Sequence, residues 1–489
     1  MNTNNHVTDS ETLRKNCLIT EVINESSKNL YFLPDLNKFT QVKYLYCDHN
    51  SIYQLPKFPP SFDTLIILDC SHNHLEKLPK LPVGLRQLQC SRNDLTFLPK
   101  LPDGLVYLNC SDNHLERLPT LPVGLESLDC SENQLRSLPE LPVSLEFLEC
   151  SCNSNLVALP RLNGKLKFLA CIQCDLYALP PLKNLKTLGC QDNDIRHLPK
   201  LPNTLEYLTC SFNKLEYLPS LNENLFHLEC NNNKLKALPP LPDTLKFIDC
   251  EHNHLTEFPS LNQKLRRLNC SNNELTQLPV LNSHLESLNC SNNELTQLPV
   301  LNSHLESLNC SNNELTQLPV LNRELEHLDC SNNELTQLPV LNRQLEHLIC
   351  SSNKITMLPM FSPFLVSIIF DKNPIYTTLC NDERTCFDMQ YYRMENLDMD
   401  EDEYHVFIHA DHERVANLTV ELSQKVRTLH NFRYLFYLLK YKSGLRNFLW
   451  DKIRRPKIEA KYHPDNLQKL LENMSEQDDV SELWAAPEN

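Results

Sequence analysis

Glycine is nearly absent from this chain. Six occur in 489 residues, at Gly84, Gly104, Gly124, Gly164, Gly189 and Gly444. A Walker-type or dinucleotide-binding loop needs clustered glycines so that backbone N–H groups approach phosphate. No two of the six form such a cluster, so phosphate-cradling nucleotide sites are excluded. Positive charge is also short: 46 Lys and Arg stand against 62 Asp and Glu, a net charge of −16. Nucleic-acid binders meet phosphate with a basic face, so no nucleic-acid partner is expected. No run of about 18 apolar residues is present, which removes a membrane-spanning helix from consideration. Residues 1–15 are polar and lack the apolar core of a secretory signal. A reducing intracellular compartment, the cytoplasm, is therefore expected in spite of twenty-one cysteines. No serine–histidine–acid order or paired-carboxylate cleft stands out, so neither enzymatic activity nor a cofactor is expected.

Cysteine, leucine and proline are abundant, and they recur in register. One unit reads Leu65-x-x-Leu68-x-Cys70-x-x-Asn73-x-Leu75-x-x-Leu78-Pro79-x-Leu81-Pro82, and the next begins at Leu85. Cysteine stands at 47, 70, 90, 110, 130, 150, 171 and 190, then every 20 residues to 350, which accounts for sixteen of the twenty-one. The remaining five are Cys17, Cys152, Cys174, Cys380 and Cys386. Leu68 and Cys70 are two apart, so both point to one side of a short strand and face inward. Sixteen parallel strands about 4.8 Å apart make an inner arc of roughly 75 Å. Asn73 sits where the chain leaves the strand, and its amide can bond unpaired backbone of adjacent turns as an asparagine ladder. Leu75, Leu78 and Leu81 fill the rest of the core. Pro79 and Pro82 remove N–H donors and fix φ, which makes the outer side extended rather than helical.

This pattern resembles the leucine-rich repeats, whose general form is LxxLxLxxNxL. The resemblance and the period imply an α/β-type solenoid dominated by short parallel β-strands. That is a leucine-rich-repeat horseshoe with an extended or polyproline-like convex side, plus a small C-terminal helical region. Cysteine takes a place that is more often aliphatic and reads as a small buried hydrophobe. The Cys150 unit carries an extra residue near Ser154, and in the next unit Cys174 replaces the ladder asparagine. Cys171-x-x-Cys174 looks like half a zinc knuckle but is in phase with the repeat, so a structural role is favoured over a metal site. Residues 271–290 and 291–310 are identical, a tandem duplication that lengthens an array without disturbing it.

The expected organisation is a polar leader and N-terminal cap over 1–29 and the solenoid over 30–375, with about 16 units. An acidic linker over 376–403, a small helical region over 404–475 and an acidic tail over 476–489 follow. Phe432, Leu435, Phe436 and Leu439 carry the helical stripe.

The Leu-Pro-x-Leu-Pro links resemble the short LPX leucine-rich repeats of secreted bacterial effectors. The cysteine-rich version is similar to repeat proteins of giant DNA viruses, which would place this chain in a host cytoplasm. The stretch Trp450, Arg454, Arg455, Pro456, Lys457, Ile458, Tyr462-His463-Pro464 and Leu467 looks like a recurrent tail of such viral proteins. Some effectors of this class carry a ubiquitin-ligase domain with a Cys-x-Asp nucleophile. Cys386-Phe387-Asp388 matches that triplet, but the residues after it do not match and too few remain for the domain. A zinc-binding C-terminal module built on Cys380, Cys386, His405 and His409 is a further alternative, although their spacing fits no common finger. The basic segment from Arg433 to Lys457 is most simply a solvated helix face.

Function is expected on the concave face, because residues flanking each inward leucine point outward there. The place of Ile67 is taken by Tyr107, Phe147, Phe168, Tyr207 and Phe247, and by His227, His327 and His347. The place of Asp69 is often acidic: Asp129, Glu149, Glu229, Asp249 and Asp329. A row of exposed rings suggests a protein-binding surface, and the acids suggest a partner with a basic surface bound by a monomer. Rings that merely cover the sheet are the competing explanation.

Overall fold

The computed structural model describes residues 18–359 and 365–375. Its framework is one parallel sheet of eighteen strands, beginning with Val22–Asn24 and Tyr44–Tyr46 and ending with Ser367–Ile369. Each of these is three residues long. Strands pair with those of the units before and after, and equivalent positions lie opposite one another. Leu68 faces Leu45 on one side and Leu88 on the other. Among the described residues no pairing joins the two ends of the sheet, which is therefore open. A separate two-stranded pairing joins Leu18–Ile19 to Phe39–Thr40.

The period produces the core directly. Leu65, Leu68, Cys70 and Leu75 are fully buried, and Leu78 and Leu81 nearly so. Each such leucine contributes about 1.5–3 kcal/mol by leaving water. The sixteen periodic thiols are buried and unbonded to one another, as the register requires. The Cys70 thiol donates to the Gln89 carbonyl of the next rung at 3.4 Å, and Cys90 to Asn109 at 3.4 Å. Burial raises the Cys70 thiol well above its ordinary pKa and pushes Cys190 up to about 12. These groups are neutral, weakly donating core atoms.

The chain leaves each strand through a residue with positive φ, such as His72 at 52°, Phe212 at 52° and Asn272 at 55°. The asparagine that follows holds the turn. Asn73 Nδ2 donates to the carbonyls of Cys47 (2.9 Å), Cys70 (3.2 Å) and Ser71 (3.1 Å), and its Oδ1 accepts from Ile52 N–H at 2.9 Å. One side chain thus closes its own turn and ties it to the preceding unit. Buried backbone groups that the three-residue strands leave unpaired are satisfied this way. The links beyond Leu75 contain no α-helix between residues 18 and 359; the helical turns there are the 3₁₀ segments Leu36–Lys38 and Pro60–Phe62. This matches an outer side ruled by Pro79 and Pro82.

The irregular unit shows how the ladder tolerates a gap. Cys174 lacks an acceptor for Leu156 N–H, and that donor turns to the Asn153 carbonyl at 2.9 Å across the extra residue. The Cys174 thiol still donates to the Cys150 carbonyl at 3.5 Å. At the N-terminal end the sheet begins inside the stretch assigned to leader and cap. There Glu25, fully buried, occupies the thiol place and lies 3.1 Å from Lys28 Nζ. Phe370 takes that place in the last unit. The acidic linker, the C-terminal helical region and the tail lie outside the described residues, as do Cys380, Cys386, His405, His409 and the segment from Arg433 to Lys457.

Candidate binding surface

Alternation along each strand puts one side chain into the core and two on the open face of the sheet. Leu148 is buried while Phe147 and Glu149 flank it half-exposed, and the same pattern holds at Tyr107, Asp129, His227, Glu229, Phe247 and Asp249. Phe168 is likewise half-exposed, and Tyr207 is exposed at 41%. These ten residues therefore lie on one face, in two parallel columns that His327, His347 and Asp329 continue.

The ring column is organised by stacking. Phe147 and Phe168 lie parallel with centroids 4.4 Å apart, and so do His227 and Phe247 at 4.4 Å. His327 and His347 stack at 4.8 Å, and His347 Nδ1 also meets Ser367 Oγ at 2.8 Å. These separations are set by the strand spacing, which places in-register side chains close to ring-stacking distance. One face of each pair covers its neighbour, and the outer edges remain open.

The acid column has a second role. Asp129 Oδ1 accepts from Ser131 N–H at 3.1 Å and from its hydroxyl at 2.7 Å. Asp69 and Asp329 make the same pair of bonds, and so do Asn109, Asn269, Asn289 and Asn309. The place is selected for an acceptor oxygen that starts the turn, and the charge comes in addition. Burial raises the Asp69, Glu149 and Asp249 carboxyls above their ordinary values, partly offset by these turn bonds. Glu229 is held differently, with Oε1 2.8 Å from His227 Nε2.

A third column was missed by reading only the two places beside each inward leucine. It is the residue just before each strand. There Lys167 pairs with Glu146 at 2.6 Å, Lys186 with Glu206 at 2.9 Å, and Arg266 with Glu286 at 2.5 Å. Phe226 in the same column lies under Lys246 Nζ at 4.8 Å and against Tyr207 at 5.7 Å. With Asn224, Thr244 and Lys264 these residues line a groove of about 330 Å³. The sequence signal was present: Phe226 is a single ring one residue ahead of the ring column, at a place otherwise mostly charged. Among the described residues no group of three metal-ligating side chains occurs, and no helix is long and apolar enough to cross a membrane.

No family model and no curated protein sequence matches the chain. Solved structures do. YopM from Yersinia enterocolitica is 30% identical over 72% of this chain and 91% of its own, with a TM-score of 0.53. YopM from Yersinia pestis, described as a leucine-rich effector protein, is 32% identical over 72% of this chain and 88% of its own, with a TM-score of 0.51. The functional domain of InlJ from Listeria monocytogenes, reported to include a cysteine ladder, is 24% identical over 69% and 75%, with a TM-score of 0.48. Identity at this level over nearly the whole of the two effectors, together with the strand, thiol and asparagine register described above, shows that the chain belongs to the leucine-rich-repeat proteins.

Proposed function

We propose that this chain is a protein-binding scaffold that takes its partner on the concave, strand-bearing face, chiefly through the units between residues 100 and 270. A leucine-rich-repeat solenoid is a scaffold on which neighbouring units present one extended surface. The observation that carries the reading is the column of partly open rings between Tyr107 and Phe247, in which Phe147 stacks on Phe168 and His227 on Phe247, since rigid aromatic side chains dominate protein recognition. The carboxylates of Asp129, Glu149, Glu229 and Asp249 beside them favour a partner with a basic surface, acting more on encounter and orientation than on affinity. The chain is read as a monomer that needs no cofactor, working in a reducing intracellular compartment where its unpaired thiols persist.

The test is the triple variant Phe147→Ser, Tyr207→Ser, Phe247→Ser in the full chain. Partners are recovered from cell extract with the natural chain and the variant, after circular dichroism has established that both are folded. Loss of the specifically recovered proteins supports the reading; unchanged recovery overturns it.

A further inference from the structure

Between Tyr107 and Phe247 the ring column is interrupted twice, at Ser127 and at Thr187, and only at the second do the neighbouring acid-column places lose their carboxylate or amide oxygen. Between Phe168 and Tyr207 stands Thr187, and the adjacent places in the acid column are occupied by Ala170, Gly189 and Thr209. At this place three successive units thus carry a small side chain and make none of the turn bonds that Asp69, Asn109 and Asp129 make. Their turns have lost the usual acceptor, and two buried polar atoms remain without a partner: the Gln191 amide oxygen and the Ser211 hydroxyl, the latter on a residue only 3% exposed. In the units that keep Asp or Asn, the corresponding serine hydroxyl is bonded, as in Ser131 to Asp129. The Gln191 oxygen lies over the glycine, 3.3 Å from where a Cβ on Gly189 would stand.

Phe168 and Tyr207 are two rungs apart, about 9.6 Å at the usual strand spacing. A planar group entering between them would stack on each ring at about 4.8 Å. That separation is close to the 4.4 Å at which Phe147 already backs Phe168. Tyr207 is buttressed on its far side by His227 at 6.0 Å. The charges at the notch have one sign. Lys167 and Lys186 are neutralised by Glu146 and Glu206, whereas Glu149 and Glu229 close the small-residue stretch from either side.

We propose that this notch is a socket for an arginine side chain of the protein partner. The guanidinium plane lies between Phe168 and Tyr207, its N–H groups donate to the Gln191 oxygen and the Ser211 hydroxyl, and Glu149 and Glu229 balance its charge. A flat cation with several donors satisfies all three features together. A lysine ammonium supplies charge without the plane. A neutral aromatic ring supplies the plane but leaves the buried acceptor unpaired. The socket rests on the reading of the strand face as the binding surface, and it names the chemistry at one point of it.

The experiment uses the full chain and the probes acetyl-Gly-Arg-Gly-amide, acetyl-Gly-Lys-Gly-amide and acetyl-Gly-Phe-Gly-amide. Nuclear magnetic resonance follows the Thr187 and Thr209 methyls and the Gly189 amide. The expected result is saturable shifts with the arginine peptide, at an affinity about tenfold above that of the lysine peptide. Thr187→Phe supplies the missing rung from within and should abolish the shifts at Thr209 and Gly189. The milder pair Glu149→Gln, Glu229→Gln should weaken arginine binding while the chain remains folded. The socket is overturned if the arginine peptide gives no saturable shift, if the phenylalanine peptide binds better, or if Thr187→Phe binds as the natural chain does. Such failure leaves the triple-serine test of the wider face standing, because that test reads partner recovery and does not use these probes.

Discussion

Replacing Asn213 by alanine removes one ladder rung whose bonds can be counted. Its Nδ2 donates to the carbonyls of Cys190 (2.9 Å), Cys210 (3.1 Å) and Ser211 (3.1 Å), and its Oδ1 accepts from Ile195 N–H at 3.0 Å. Alanine leaves the Ile195 donor orphaned in the core, together with carbonyls that lose an acceptor role. One unsatisfied buried donor costs about 1–3 kcal/mol. With the carbonyls partly compensated by their second lone pairs, a total of about 3 kcal/mol is expected. The molecule contains its own comparison. Cys174 makes only thiol bonds at 3.5 and 3.6 Å, and the amide it fails to serve, Leu156 N–H, is already bonded to Asn153. Cys174→Ala should therefore cost only about 1 kcal/mol, the loss of a small buried group. Urea unfolding followed by circular dichroism gives the two differences, and native-state hydrogen exchange locates them. In Asn213→Ala the Ile195 amide should lose protection, while Leu156 in Cys174→Ala should keep it. If the two variants are equally stable, or if Ile195 exchanges at its natural rate, the ladder does not hold the turns in the way argued here.

Thiol labelling of the native chain at mild alkaline pH should modify Cys152, the one half-exposed thiol among the described residues. The periodic thiols should react only after denaturation; peptide mapping by mass spectrometry reads the difference, and rapid native labelling at Cys210 or Cys230 would refute the buried register. Phe212 holds φ at 52°, a region that asparagine tolerates better and that asparagine occupies at 272, 292, 312 and 332. Phe212→Asn should therefore stabilise the chain by about 0.5–1 kcal/mol in urea unfolding, since its half-exposed ring contributes little packing to offset the strain. The Asp69 carboxyl is raised in the fold by burial, so it binds its proton more tightly folded than unfolded. Its ionisation opposes folding: the fold is favoured below the unfolded value of about 3.9, and that advantage is lost as pH rises through the folded value. Asp69→Asn keeps the turn acceptor, as Asn269 does, and should raise the melting temperature at pH 7 but not at pH 3. A gain of equal size at both pH values would exclude the ionisation argument.

The parts of this molecule that were legible in the sequence are those that repetition states many times over. Leu68, Cys70 and Asn73 recur every 20 residues because each must meet its own counterpart in the next rung, and that requirement leaves few residue types acceptable. Which face each side chain takes follows from the strand alternation alone, so Tyr107 through Asp249 could be placed before any coordinates. The N-terminal rung at Val22–Asn24 was less visible because Glu25 replaces the thiol there. The meaning of the acid column was harder still. Asp129 and Glu229 look alike as charges, yet one is a turn acceptor shared in type with Asn109, and the other is bonded to the ring of His227. Only the interchange of Asp with Asn along the column hinted at the first role.

The notch at Thr187 belongs to a third kind of information. A threonine between two aromatic rungs carries no signal by itself. It becomes a feature only when the rings are known to stack along the sheet, so that one absent rung leaves a planar slot, and when Gln191 and Ser211 are seen to have lost partners in the same three units. Repetition makes such departures readable: Ser211 without a partner is informative because Ser71, Ser111, Ser131 and Ser331 each have one. In an array whose units are otherwise interchangeable, recognition has to reside where the units stop being alike. The duplicated stretch 271–310 carries serine in the ring column and no such break. Specificity is accordingly sought between Phe147 and Phe247, where neighbouring units differ most.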